Sequence, residues 1–185
     1  VQVDTTEAQE KLQRVGEALK GKRTLALLAR TVSEGMSFHS DDGNKKKGVD
    51  FIKKLYFALA GDGNEKQNVR HKRQLKLVGQ SNNGKTCLAQ WMARMWVASA
   101  EDQTSGGWIE EYVTSETMDA HLWSARESTG SAPREIWGSL RYLFDLALKD
   151  DNKGARFALV INEANRGNLF NALNRIWWEK RRNYP

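Results

Sequence analysis

Eight residues, GQSNNGKT at positions 79–86, have the spacing of a phosphate-binding loop: a glycine, four residues, then glycine, lysine and a hydroxyl. Each residue type has a task in that chemistry. Gly79 and Gly84 let the backbone turn so that successive N–H groups face phosphate oxygens. Gln80, Ser81, Asn82 and Asn83 form the wall between them, and Cys87 follows at the start of the next helix. That helix would aim its positive end at the same anion. Lys85 would reach the β- and γ-phosphates, which makes it a binding and a catalytic candidate, and Thr86 would place its hydroxyl on Mg²⁺. At ordinary residue usage such a match arises by chance in fewer than about one in a hundred chains of this length. The competing interpretation is a polar turn with a surface lysine.

Hydrolysis needs an acidic partner at the end of a neighbouring buried strand. FALVINEANRGN, residues 157–168, supplies an apolar run followed by Asn162 and Glu163. Glu163 would polarise the attacking water. The residue before it is expected to be an aspartate serving the Mg²⁺ shell. Asn162 has that shape without the charge, so nucleotide binding with slow turnover is expected, and Asn162→Asp should raise hydrolysis more than affinity.

These residues need elements to position them. Residues 75–78 (LKLV) read as a short strand entering the loop, and residues 86–98 as the helix leaving it. Residues 109–114 (IEEYVT) and 157–161 (FALVI) read as strands. Pro133 suits the first turn of a helix whose apolar face includes Ile136, Leu140, Leu143 and Leu146. Residues 150–154 form a turn, and 169–180 return to helical spacing. The alternation implies a parallel sheet with crossover helices. Upstream, Leu12, Val15 and Leu19, then Leu25, Leu28 and Val32, recur at helical spacing about Gly21. Residues 40–48 (SDDGNKKKG) read as a solvated loop, with DNA contact by Lys45, Lys46 and Lys47 as the lesser alternative, and Val49, Ile52, Leu55, Tyr56 and Leu59 mark one face of a further helix. The organisation is a helical segment at 1–60, a basic linker at 61–74 and an α/β P-loop core at 75–185.

A hydrophobic fraction of 39% with 28% charged residues is that of a globular chain. The net charge of +6 suits an acidic partner such as nucleic acid or nucleotide, or simply a solvated basic face. Arg70, Lys72 and Arg73 are the candidate DNA contacts. One cysteine, Cys87, excludes an internal disulfide, fits a reducing, cytoplasmic compartment and is expected to be buried in its helix. No apolar run reaches the ~18 residues of a membrane span. His39, His71 and His121 lack metal-ligand spacing.

ALVINEANRGNL, residues 158–169, resembles the Walker B segment of McrB-type AAA+ NTPases, the motor subunits of modified-cytosine restriction systems. That segment runs apolar strand, then Asp-Glu-Ile-Asn-Arg-Ala/Gly-Asn. Glu163, Asn165, Arg166, Gly167 and Asn168 match; Asn162 replaces Asp, Ala164 replaces Ile, and Gln80 stands where these loops often carry Pro. The resemblance spans roughly residues 75–173. It implies an AAA+-type NTPase that hydrolyses ATP or GTP with Mg²⁺, forms a homo-oligomeric ring and acts on DNA with a nuclease subunit in restriction or phage defence. Gly79, Gly84, Lys85 and Thr86 would hold phosphate and metal, with Asn162 in the metal position and Glu163 as the base. Asn165 and Arg166 would lie near the γ-phosphate or a neighbouring subunit, with an ordinary surface arginine an equal alternative for Arg166. A complete module continues with a sensor, an arginine finger and a helical lid. The chain to Pro185 leaves no room for them, so the expected core is truncated after Walker B. Two other classes remain open: another P-loop DNA-processing ATPase, such as a helicase or loader, and a non-hydrolysing nucleotide-binding regulatory subunit.

Overall fold

The computed structural model describes residues 1–37, 45–60, 75–80, 82–115, 117, 119–128 and 133–166. The basic linker 61–74, Ser81 and the expected helix at 169–180 lie outside the described residues. The architecture is mixed α/β, with small sheets that contain parallel pairs. The chain forms two compact units, one from Val1–Arg14, Gly107–Lys153 and Phe157–Pro185, the other from Val15–Gly106 with Gly154–Arg156.

The second unit contains three helices, α2 (Leu25–Gly35), α3 (Lys45–Ala60) and α4 (Lys85–Ala98). Thr24 caps α2, its hydroxyl accepting from the Leu27 N–H, which satisfies one of the helix's orphan donors. The apolar stripes expected from the sequence meet in one core, where Leu28, Val32, Ile52, Leu88, Met92 and Met95 are buried. Half-buried Val49, Leu55, Tyr56 and Leu59 pack on it. Lys45, Lys46 and Lys47, expected in a loop, form the first turn of α3 instead. Their long side chains are good helix formers, and the helix of 16 residues starts ahead of its apolar stripe. Arg156 ties in the far end of α3 and α4: it donates to the Tyr56 hydroxyl (2.9 Å) and lies 4.4 Å above the Trp96 ring.

The first unit contains a three-stranded sheet of β1 (Gln2–Asp4), β4 (Arg134–Trp137) and β3 (Ser124–Glu127), in the order β1-β4-β3. β1 runs parallel to β4, with Asp4 opposite Ile136, and β3 runs antiparallel, with Ala125 opposite Ile136. Ile136 therefore belongs to a central strand, not to the expected helix, which begins only at α6 (Ser139–Leu148). The short run REIW carries a β-branched and an aromatic residue and finds a ladder partner on both sides, which outweighs its fit to the helical stripe. Leu140 and Leu143 are buried on α6 as expected. Arg141 of the same helix lies between Trp123 and Trp137, about 5 Å from each ring.

α1 (Thr6–Lys11) ends earlier than the spacing of Leu12, Val15 and Leu19 suggests. Gln13 leaves helical geometry to exchange two backbone hydrogen bonds with Trp108. Trp108 lies on β2 (Asp102–Tyr112), which begins seven residues before the expected Ile109. β2 pairs with β5 (Ala155–Asn162), which contains the expected 157–161 strand. The Asp102 N–H donates to the Gly154 carbonyl and the Val113 N–H to that of Asn162, so the two strands run in the same direction. Ile109, Tyr142 and Leu143 are buried together, with Phe157 and Leu159 packed on them. A four-residue helix, α5 (Asp119–Leu122), precedes β3. Among the described residues, no helix is long and apolar enough to cross a membrane.

Residues 75–78 do not form the expected strand. Leu75 and Leu77 are half-buried against the α2–α4 core while Lys76 and Val78 are exposed, which is the alternation of a strand. A strand also needs a neighbour for its N–H and C=O groups, and among the described residues none pairs with this segment.

Candidate functional site

The phosphate-loop candidate lies wholly within the second unit, at the start of α4. Gly84 is the residue before that helix and sits at φ +78°, ψ 11°, in the left-handed region. Asn82 is left-handed as well, at φ +62°. A residue with a Cβ is strained in that region, so glycine at 84 is needed for the chain to turn into the helix. Among the described residues, nothing lies within 4 Å of where a Cβ on Gly84 would be. At Gly79 a Cβ would meet Asn83 Nδ2 at 2.7 Å. The Asn83 side chain thus folds back across the start of the loop and helps to close it.

Lys85 is the first residue of α4 and turns back over the loop. Its ammonium donates to the Gln80 carbonyl and, at 3.1 Å, to Asn83 Oδ1. The charge therefore stands above the turn, held by neutral acceptors that a phosphate oxygen could displace. Lys85, Gly84 and Asn83 line a cleft of about 370 Å³. These donors fit an anion: an ammonium, an amide and the N-terminal end of a 14-residue helix, with no carboxylate among the described residues that line the cleft. Thr86 and Cys87 are exposed on the first turn of α4. Exposure of Cys87 corrects the expected buried thiol: the apolar face of α4 runs through Leu88, Met92 and Met95, and position 87 falls beside it.

The Walker B candidate lies in the first unit, at the carboxyl end of β5. Asn162 is only 8% exposed, and its Nδ2 donates to Glu110 Oε1 on the neighbouring strand β2. The amide that replaces the expected carboxylate is thus paired with a carboxylate one strand away. Glu110 also acts on Tyr112, whose phenol it holds above the ordinary value, chiefly through its negative charge. Glu111, next along β2, points the other way. It accepts from Ser139 at the start of α6 and from Lys11 at 2.9 Å. Glu110 was missed in the sequence, where two adjacent glutamates in a strand gave no sign of which faced the strand end.

Glu163 follows Asn162 at φ +56°, an uncommon conformation for a glutamate. Arg166 closes this turn: its N–H donates to the Glu163 carbonyl (2.8 Å) and its Nε lies 3.2 Å from Glu163 Oε2. Both side chains are more than half exposed, so the ion pair is weak and readily opened. Arg166 is thus placed on the proposed base. Asn165 is exposed in the same turn, and Gly167 and Asn168 lie outside the described residues. Among the described residues, no three His, Cys, Asp or Glu side chains group as a metal site. A cation at the 79–86 loop would need oxygen ligands from Thr86 and from phosphate. Compared with protein-family models, curated proteins and solved structures, the chain matches none.

Proposed function

We propose that this chain binds a nucleoside triphosphate through residues 79–86 and belongs to the P-loop NTPases, in the AAA+ manner of the McrB-type motors. The observation that carries the proposal is the loop itself. The motif glycine at 84 occupies a left-handed position that favours glycine, and Lys85 is poised over the turn at the start of a long helix. Mg²⁺, when bound, would screen phosphate charge. Thr86 would hold it at the loop, and Glu163 is the base that the family resemblance implies. The oligomeric ring, the nuclease partner and DNA contact by Arg70, Lys72 and Arg73 belong to the same proposal, with the family resemblance as their support. A second reading, a nucleotide-binding subunit that does not hydrolyse, is favoured by Asn162, whose amide is committed to Glu110.

The test is titration with a fluorescent nucleotide. Lys85→Ala removes a charge-assisted hydrogen bond to phosphate, worth about 1.5–3 kcal/mol, so affinity should fall at least tenfold. Equal affinity for the two proteins would overturn the assignment. Steady-state turnover at saturating nucleotide and Mg²⁺ then separates the two readings.

A further inference from the structure

Two hydrogen-bond donors in the first unit lack an acceptor, and they belong to side chains in contact. The guanidinium of Arg141 lies over the rings of Trp123 and Trp137, 5.1 Å and 5.0 Å from their centroids. Among the described residues it has neither an ion-pair nor a hydrogen-bond partner. The acidic residue one turn further along α6, Asp145, is paired with Lys149 at 3.1 Å instead. The second donor is the Trp137 indole, whose Nε1 is buried and meets no acceptor among the described residues. Buried donors in folded proteins are nearly always paired, so an orphan calls for a water, an ion or a ligand.

The backbone holds this arrangement in place. The β3–β4 ladder sets Ser124 opposite Trp137. The Gly138 N–H donates to the Trp123 carbonyl at 2.8 Å. A Cβ on Gly138 would come within 2.2 Å of the His121 carbonyl, so β4 turns into α6 in direct contact with α5. Trp123 follows α5, Trp137 ends β4 and Arg141 lies in the first turn of α6. All three side chains therefore start from elements locked to one another. Aromatic rings attract the cation but accept no ordinary hydrogen bond, so the planar fork of N–H groups stays unused. Arg141 is half-buried, which leaves it reachable from solvent. Only ring contacts hold its guanidinium, so a small turn of the side chain uncovers the Trp137 N–H.

We propose that Arg141 and the Trp137 indole together bind a carboxylate, free or carried on a peptide. The guanidinium fork matches two carboxylate oxygens in one plane, and the indole N–H adds a third, neutral donor. One cation suits a single negative charge better than a doubly charged phosphate. The site lies within the first unit and does not depend on the phosphate-loop reading.

Proton–nitrogen NMR of the indole N–H signals tests this on the full chain, at fixed ionic strength and neutral pH. The probes are acetate, oligoglutamate and inorganic phosphate, and Trp137→Phe identifies the Trp137 signal. Acetate and oligoglutamate should shift that signal saturably and slow its exchange with solvent, with phosphate clearly weaker. Tighter binding of oligoglutamate per carboxylate assigns the site to a peptide; equal binding assigns it to a small acid. Arg141→Lys keeps the charge and the long stem but loses the fork. It should weaken both carboxylates roughly tenfold, the loss of one charge-assisted hydrogen bond. The proposal is overturned if neither carboxylate moves the Trp137 signal, if phosphate binds as tightly, or if Arg141→Lys binds equally well, which would leave only a general positive field. A Trp137 indole proton already at a hydrogen-bonded position without ligand would also overturn it. The wild-type titrations decide the matter even if Arg141→Lys does not fold.

Discussion

Asn162 shows what one atom can change. From sequence it is an aspartate that lost its charge; in the structure its amide donates to Glu110, a half-buried carboxylate on the neighbouring strand β2. Asn162→Asp would place two carboxylates at hydrogen-bond distance, losing the bond and adding like-charge repulsion. The unmatched groups should cost about 1–3 kcal/mol, read as a lower unfolding temperature near neutral pH. Glu110→Gln combined with Asn162→Asp reverses the donor and acceptor and should recover most of the loss. If Asn162→Asp alone is as stable as wild type, the contact does not hold in solution. The gain in turnover expected of an aspartate then belongs to the paired variant, because only there is the new carboxylate satisfied as Glu110 is now. The sequence pointed to Asn162 and Glu163 through their place after an apolar run. It could not show Glu110, because which strand lies alongside β5 is a tertiary fact.

The elements separate what periodicity records from what it omits. Helices α2, α3, α4 and α6 were legible because their apolar stripes face a core that exists. Ile136 and residues 75–78 were misread for complementary reasons. Ile136 fits a helical stripe but gains two ladder partners, whereas 75–78 has a strand's alternation and no partner among the described residues. The early end of α1 is similar, since Gln13 is recruited by Trp108. α1 is also held to β2 by Lys11, whose ammonium bonds Glu7 and Glu111. Partial burial would lower the Lys11 pKa, but the hydrogen bonds and charges of both glutamates outweigh it and hold the group above the ordinary lysine value. A raised folded-state pKa means that the stabilisation is fully present below the unfolded value, about 10.4, and is lost as pH rises through the folded one. Between pH 9 and 12, wild type should therefore lose stability more steeply than Lys11→Met, as followed by denaturant unfolding. Parallel curves for the two proteins would show that Lys11 does not carry this linkage.

For the whole molecule, each compact unit is assembled from distant pieces of chain. Gln2 stands opposite Arg134, and Gly154–Arg156 joins a unit otherwise drawn from Val15–Gly106. Apolar patterning reports that an element has a buried face but not what covers it, so the mixed α/β class was legible and the assembly of the units was not. The candidate loop and the helices of its cleft, α2, α3 and α4, all belong to one of these units. Ligand that binds only the folded state stabilises it by about 2.7 kcal/mol at a hundredfold excess over Kd. In a chain of this size that raises the unfolding temperature by roughly 5–10 °C. Hydrogen exchange can locate the effect, because local opening and global unfolding protect different amides. Saturating nucleotide should slow exchange most in peptides covering residues 25–36, 45–60 and 82–98, which carry Met36, Phe51 and Lys85 of the cleft lining. Peptides from β4 and α6 provide the internal comparison from the other unit. Lys85→Ala should remove both the thermal shift and the local protection. Uniform protection across all peptides, or protection centred on β4 and α6, would place the nucleotide elsewhere than the 79–86 loop.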